Sequence, residues 1–306
     1  MKKREKSARL MTAHQAIFHC PVCRGEMSVR EASGMVCTQG HRFDIARQGY
    51  INLTVGPVRS SYGKDLFDAR QNVIQSGAFD PLHAELISRI EGPAGDQPAP
   101  RYLLDAGCGE GSHLAAVCRQ LEDRGQPVLG LGLDLAKSGI QAAAREYGDC
   151  LWAVADLADP PLRDASFDVL LNILSPASYG TFRRLLRPGG TILKVVPGEE
   201  HLRELREEYD TLKDGGAYSN RETVHLFSRQ YPDFRQELMT WTVPVDDERL
   251  AVIARMSPLS WHRTPDAGER LFKRGIRDIT FSVVVLEGQA GPDREPSVVS
   301  ERLEEK

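Results

Sequence analysis

No stretch of the 306-residue chain offers the ~20 consecutive apolar residues that a bilayer span requires. The start, Met1-Lys2-Lys3-Arg4-Glu5-Lys6, is basic but has no apolar core behind it, so it does not read as a signal peptide. The expected compartment is therefore the cytoplasm, with no membrane partner. Also missing are the Gly-Lys-Ser/Thr of a phosphate loop and the G-x-G-x-x-G spacing of dinucleotide sites. There is no internal repeat. An excess of positive charge is lacking too: 39 Lys and Arg stand against 43 Asp and Glu, a net −4 that taken whole argues against a nucleic-acid binder. The distribution says otherwise. Residues 1–62 hold ten basic and four acidic residues, +6, which leaves −10 for the remainder. A basic front end able to meet phosphates is thus joined to a more acidic body, although a solvated charged surface would have the same composition.

Cysteine is scarce but clustered: three of the six fall at Cys20, Cys23 and Cys37. With His41 they form C-x2-C, then C-x3-H, the spacing of two short knuckles that bring four ligands to tetrahedral zinc. In an intracellular chain such a cluster reads as a metal site before a disulfide framework. Zinc supplies the folding free energy that a module of ~30 residues cannot obtain from burial. His14 and His19 are further ligand candidates, but His19 adjoins Cys20 and is expected to be exposed. A closed Cys3His set leaves no open coordination position, so the predicted role is structural, with one zinc per chain.

The chain is organised around Tyr102-Leu103-Leu104-Asp105-Ala106-Gly107-Cys108-Gly109-Glu110-Gly111-Ser112. Apolar residues run into a glycine-rich turn and then an amphipathic segment with Leu114, Val117 and Leu121, the order of strand, tight loop and helix. Beyond it, strands are predicted at 102–106, 128–134, 151–155, 167–174 and 190–196, and helices at 112–124, 136–147 and 179–186. That alternation predicts an α/β fold with a parallel sheet covered on both faces. A helix near 199–212 and extended runs at 236–244 and 279–287 follow. Residues 64–90 read as helix broken near Gly77, and 91–100 as a linker.

An acid ending the first strand, three alternating glycines and a second acid, Asp134, resemble class I S-adenosylmethionine-dependent methyltransferases. The stretch from Cys37 through "RFDIARQGYINL" narrows the resemblance to the 23S ribosomal RNA guanine-N1 methyltransferases of the RlmA type. It continues at Gly63-Lys64-Asp65, at Ala69-Arg70, and at Met256-Ser257-Pro258 with Trp261. The resemblance implies a zinc-ribbon module ahead of a Rossmann-like, mostly parallel seven-stranded sheet closed by an antiparallel hairpin. Accordingly, 1–16 is expected to be a flexible N-terminus, 17–47 the zinc-binding module, 48–98 a helical connector and linker, 99–288 the methyltransferase domain, and 289–306 a disordered tail. It implies S-adenosyl-L-methionine as cofactor and a 23S rRNA stem-loop as partner. A homodimer is compatible with it, and nothing in the residues fixes the oligomeric state.

Asp134, at the end of the second strand, is placed to accept both ribose hydroxyls of the cofactor or to cap the next helix. Asp156, ending Ala153-Val154-Ala155, is placed for the adenine amino group or for a loop turn. Asp105, Gly107, Gly109 and the backbone at Ser112, His113 and Leu114 are expected around the methionine moiety. The resemblance puts an aromatic at Phe79 and a histidine at His201 against the cofactor; a core aromatic and an exposed helix residue are the ordinary alternatives. Leu171-Asn172-Ile173-Leu174-Ser175-Pro176 ends the fourth strand where related enzymes grip the target. It is not the N/D-P-P-Y/F of amino-group methylation, which favours a ring nitrogen and leaves Asn172 as a candidate contact to the base. Cys108 and Cys118 have no pattern of a nucleophilic thiol around them. The rival expectations are a methyltransferase of small molecules or proteins, and a zinc-ribbon RNA-binding factor that holds the cofactor without turnover.

Overall fold

The structure is a computed structural model that describes residues 2–56, 62–91, 100–210, 219–257 and 267–291. Pro258, Trp261, most of the 91–100 linker and the tail beyond Gly291 lie outside them. The front of the chain forms helix α1 (Lys3–Ala13) and strands β1 (Met27–Arg30), β2 (Gly34–Cys37), β3 (Arg42–Asp44) and β4 (Ile51–Asn52). Helices α2 (Lys64–Gln75) and α3 (Asp80–Ile90) follow. Then come β5 (Arg101–Ala106), α4 (Ser112–Asp123), β6 (Val128–Asp134), α5 (Lys137–Glu146), β7 (Leu151–Val154), β8 (Phe167–Ile173), α6 (Tyr179–Leu185) and β9 (Leu186–Pro197). The last elements are α7 (Arg203–Asp210), α8 (Arg221–Gln230), β10 (Arg235–Pro244), α9 (Asp247–Met256), α10 (Ala267–Lys273) and β11 (Asp278–Gln289). Among the described residues no helix is long and apolar enough to cross a membrane.

Strands β1, β2 and β3 make a small antiparallel sheet; the other eight form one sheet in the order β10-β11-β9-β8-β5-β6-β7-β4. The six strands from β9 to β4 pair in parallel, and β11 runs against both β9 and β10. The chain leaves β5 toward β6 on one side and returns to β8 on the other. A crevice therefore opens beyond the carboxyl ends of β5 and β8, where open α/β sheets bind ligands.

Two expectations are corrected. Among the described residues the sheet has eight strands rather than seven, because Ile51 and Asn52 pair with Ala153 and Val154 at the edge beyond β7. The N-terminus expected to be flexible is helical over Lys3–Ala13. Glu5 accepts the Lys2 N–H at 3.2 Å, and Ala8 and Met11, three residues apart, put their side chains on one buried stripe.

Both corrections have one cause. Alternate residues of the buried strands face two cores. Leu103, Leu171, Leu193 and Val195 pack under α2, α3, α4, α5 and α9. Leu104, Leu131, Leu133, Leu170 and Ile192 pack under α6, α8, α1 and the cysteine-bearing segment, whose Phe18, Met27, Met35 and Ile45 join the same cluster. No α-helix links β7 to β8. The front segment docks on that link instead: the His19 N–H donates to the Pro161 carbonyl at 2.9 Å and the Arg163 N–H to the Ile17 carbonyl at 2.9 Å. It covers a sheet face that would otherwise be bare.

Candidate active site and metal centre

The apolar strand β5 ends at Asp105-Ala106, and the next turn carries Gly107, Gly109 and Gly111 at φ of 84°, 56° and 82°. Two of these glycines are forced by contact. A Cβ on Gly107 would lie 1.8 Å from the Ser175 hydroxyl, and one on Gly111 2.5 Å from the Trp152 ring. Asp134 ties the turn to the end of β6, its carboxylate accepting the Gly109 N–H at 2.8 Å and the Ala136 N–H at 2.7 Å. The second bond is a turn just ahead of α5, whose N-cap residue Ala136 makes no side-chain capping bond, so Asp134 fastens the two turns rather than capping the helix.

Three carboxyls meet here. Asp105 is 1% exposed, its Oδ1 has no hydrogen-bond partner, and burial followed by the nearby Asp134 and Glu110 charges pushes its pKa well up. Glu110 accepts the Ser112 N–H at 2.8 Å and the Ser112 hydroxyl at 2.7 Å; burial nevertheless pushes it up to about 7. Burial also raises Asp134. Arg70 of α2 partly offsets them, its positive charge favouring ionised Glu110 and Asp134. Its Nε donates to the Met256 carbonyl at 3.3 Å, and its guanidinium lies 5.9 Å from the rings of Tyr62 and Phe67. A buried, under-satisfied acid beside two others is an environment that favours a cation. The sulfonium and ammonium of S-adenosylmethionine fit that demand, and the glycine turn supplies the close backbone approach.

The aromatic and histidine candidates form a second group. The Phe79 ring is buried, edge-on to His113 and to Phe281 with centroids 5.0 Å away in each case. His201 joins it across Phe281 at 5.9 Å. Burial pushes His201 down to about 4. Its Nδ1 accepts the Ser282 N–H at 3.3 Å, so the neutral ring carries its proton on Nε2 as a donor. His113 contacts His83 at 2.9 Å between ring nitrogens, and burial first, then the His83 charge, holds its pKa well down. The Leu114 side chain is wholly in the core, leaving only its backbone for a ligand. Asp156 is exposed beyond β7 and accepts the Ala158 N–H at 2.9 Å in a turn.

Asn172 does not face the crevice. It is 0% exposed, and its amide group donates to the Ala106 carbonyl at 2.7 Å and the Pro176 carbonyl at 3.0 Å. Both donors are spent internally, so the target-base contact expected of it is not available. Sequence reasoning missed Arg70 as a neighbour of the acids, although Ala69-Arg70 belonged to the resembling stretch. It also missed Lys194, whose burial has no local signal.

The metal centre gathers the four expected ligands. The donor atoms of Cys20, Cys23, Cys37 and His41 all lie within 4.8 Å of one another. Cys20 Sγ is 3.6 Å from His41 Nδ1, Cys23 Sγ 3.6 Å from Cys37 Sγ, and Cys37 Sγ 3.3 Å from His41 Nδ1. Corners of a tetrahedron around zinc, with bonds of about 2.0–2.3 Å, lie roughly 3.3–3.8 Å apart. The donor set therefore fits a single structural zinc. Against the cost of burial, N–H groups of Gln39 and His41 bring the Cys37 thiol down to about 6, toward the thiolate that a metal needs.

Comparison with known proteins agrees with both halves. Residues 18–60 match the zinc-ribbon family described as RlmA, N-terminal, and residues 103–190 match a methyltransferase-domain family. YxjB of Bacillus subtilis (strain 168), provisionally named a 23S rRNA (guanine-N(1)-)-methyltransferase, is 38% identical over 90% of this chain and 98% of its own length. The 23S rRNA (guanine(748)-N(1))-methyltransferase of Streptomyces fradiae is 35% identical over 87% of this chain and 94% of its own. A Haemonchus contortus phosphoethanolamine N-methyltransferase 2 in complex with S-adenosyl-L-methionine superposes on 77% of this chain and 59% of that chain, at 17% identity and a TM-score of 0.47. With a zinc ribbon docked on a Rossmann-like methyltransferase sheet, and relatives matched along nearly their whole length, this chain belongs to the family of 23S rRNA (guanine-N1)-methyltransferases.

Proposed function

We propose that this protein transfers a methyl group from S-adenosylmethionine to N1 of a guanine in a stem-loop of 23S rRNA. The observation that carries this reading is the crevice at the ends of β5 and β8, with Asp105, Glu110 and Asp134 around one glycine turn, in a chain that also holds the Cys3His centre. When bound, the cofactor supplies a methyl on a positively charged sulfur. Asp134 is suited to both ribose hydroxyls, while Asp105 and Glu110 offset the positive charge. His201 offers an N–H from Nε2, suited to the methionine carboxylate. Phe79, just ahead of α3, packs edge-on against His113 of α4 beside the glycine turn. Guanine N1 carries a proton at neutral pH, which must leave to water or a base as N1 attacks. A base already splayed from a loop costs least to present.

The front segment is suited to the RNA backbone. Arg42 and Arg47 are exposed on it, Arg42 held by Asp44 at 2.9 Å. The test is mass mapping of nuclease-digested 23S rRNA after incubation with the protein and labelled cofactor, beside protein and metabolite fractions. Label on one guanine as 1-methylguanine is the expected result. Label in the protein or metabolite fraction alone would overturn the reading.

A further inference from the structure

Asn172 on β8 and Lys194 on β9 are register partners, and both are buried, at 0% and 3% exposure. The Lys194 ammonium donates to the Asn172 side-chain oxygen at 2.7 Å and to the Ser175 carbonyl at 3.1 Å. Asn172 in turn donates to Ala106, the last residue of β5, and to Pro176. One asparagine and one lysine thus bind together three pieces of backbone: the end of β5, the end of β8 and the turn at 174–176. Burying an ammonium in a sheet interior costs several kcal/mol, and an apolar pair of similar volume would pack there without it.

What the pair holds is unusual. Leu174 sits at φ 51°, a conformation that a branched side chain rarely adopts, and its N–H is pinned to the Val195 carbonyl at 3.0 Å. Its side chain is 38% exposed, one of few large apolar groups on the surface among the described residues. The next residue, Ser175, lies directly on Gly107. A strained, exposed apolar residue is therefore clamped at the mouth of the crevice, one residue from the glycine turn.

We propose that Asn172 and Lys194 are positioning residues for methyl transfer, holding the Leu174–Pro176 turn as the seat of the acceptor purine. The Leu174 side chain is the surface against which the base lies. This rests on the reading of the substrate given above. A base displaced by about 1 Å loses on the order of 100-fold in rate, with its binding little changed.

The experiment compares Lys194→Met, Lys194→Arg and Leu174→Gly in the full zinc-loaded protein, measuring kcat and KM for rRNA, Kd for S-adenosylmethionine, and Tm. Lys194→Met is expected to lower kcat about 100-fold, with cofactor Kd and RNA KM within about twofold of wild type; Lys194→Arg should recover part of the loss. Leu174→Gly relieves the backbone strain, so it should keep or raise Tm while kcat falls. That combination is not the behaviour of a merely structural residue. Wild-type kcat in Leu174→Gly, or activity and cofactor affinity falling in step in Lys194→Met, would overturn the proposal. Failure of the unaltered protein to methylate rRNA would strike the substrate reading itself and this inference with it, a result distinct from either.

Discussion

Glu110 gives a quantitative handle on the glycine turn. Its carboxyl is pushed by burial from 4.5 to about 7, although two donors from Ser112 point at it. The folded state therefore holds this proton more tightly than the unfolded chain. Stability from this residue is fully present below about pH 4.5 and is lost as pH rises through about 7. At about 1.4 kcal/mol per tenfold change in proton affinity, the loss amounts to about 3 kcal/mol. Glu110→Gln keeps an acceptor for Ser112 and removes the ionisation. Urea unfolding of both proteins should give similar stabilities near pH 4.5, and a variant more stable by about 3 kcal/mol at pH 8. His83 and His201, each pushed down to about 4 by burial, act in the opposite sense. Their contribution is present above pH 6.5 and lost on acidification, but it is common to both proteins and cancels in the difference. A constant gap between variant and wild type from pH 4.5 to 8 would refute the reasoning.

Asp134→Ala should weaken S-adenosylmethionine binding by ~1.5–3 kcal/mol, and it should also lower Tm because the Gly109 and Ala136 N–H groups lose their acceptor; calorimetry showing wild-type affinity would leave Asp134 as a fastener of those turns alone. Denatured protein should release about one zinc per chain, and Cys20→Ser or Cys37→Ser should lose it and destabilise the whole protein, since Cys20 and Cys37 share a core with the large sheet. Full metal retention in both variants would contradict the ligand set. Neutralising Arg42 and Arg47 should flatten the salt dependence of RNA binding by roughly 0.7–0.9 in log–log slope per lost phosphate contact, measured by filter binding; an unchanged slope would remove them from the interface.

What could be read in advance was whatever local pattern encodes. Strand β6 was expected at 128–134 and lies there, because Leu129-Gly130-Leu131-Gly132-Leu133 has no alternative as a buried run. The break near Gly77 separates α2 from α3, with Gly77 at φ 84°. The four metal ligands were legible from spacing, which directly reflects knuckle geometry. Illegible were the long-range placements. Nothing local says that Ile51 and Asn52 complete a sheet edge, that α1 covers a face, or that Lys194 is buried beside Asn172. The polarity of 1–16 points to mobility because its apolar contact is carried by Ala8, Met11 and the half-buried Leu10, too few to form a pattern. Asn172 was placed at the right strand end, but the direction of its side chain depends on Ala106 and Pro176, which local pattern does not reveal.

The edge strand β4 also bears on the order in which the molecule is made. Ile51 leaves the ribosome early, while its partner Ala153 is synthesised much later. The same is true of Lys6 and Asp149, and of His14 and Tyr102, which lie 2.8 Å apart. Until β7 exists, the apolar side of the ribbon, with Met27, Met35 and Ile45, has nothing to rest on. Contacts this distant in sequence form late and leave such surfaces open to aggregation. The four zinc ligands all lie within residues 20–41, so the ribbon can close on its metal before its partners in the large sheet are made. Nascent chains, rather than finished enzyme, would then be the population at risk when zinc runs short. The expected sign is a refolding yield that falls when zinc is withheld at the start and is not restored by adding it at the end.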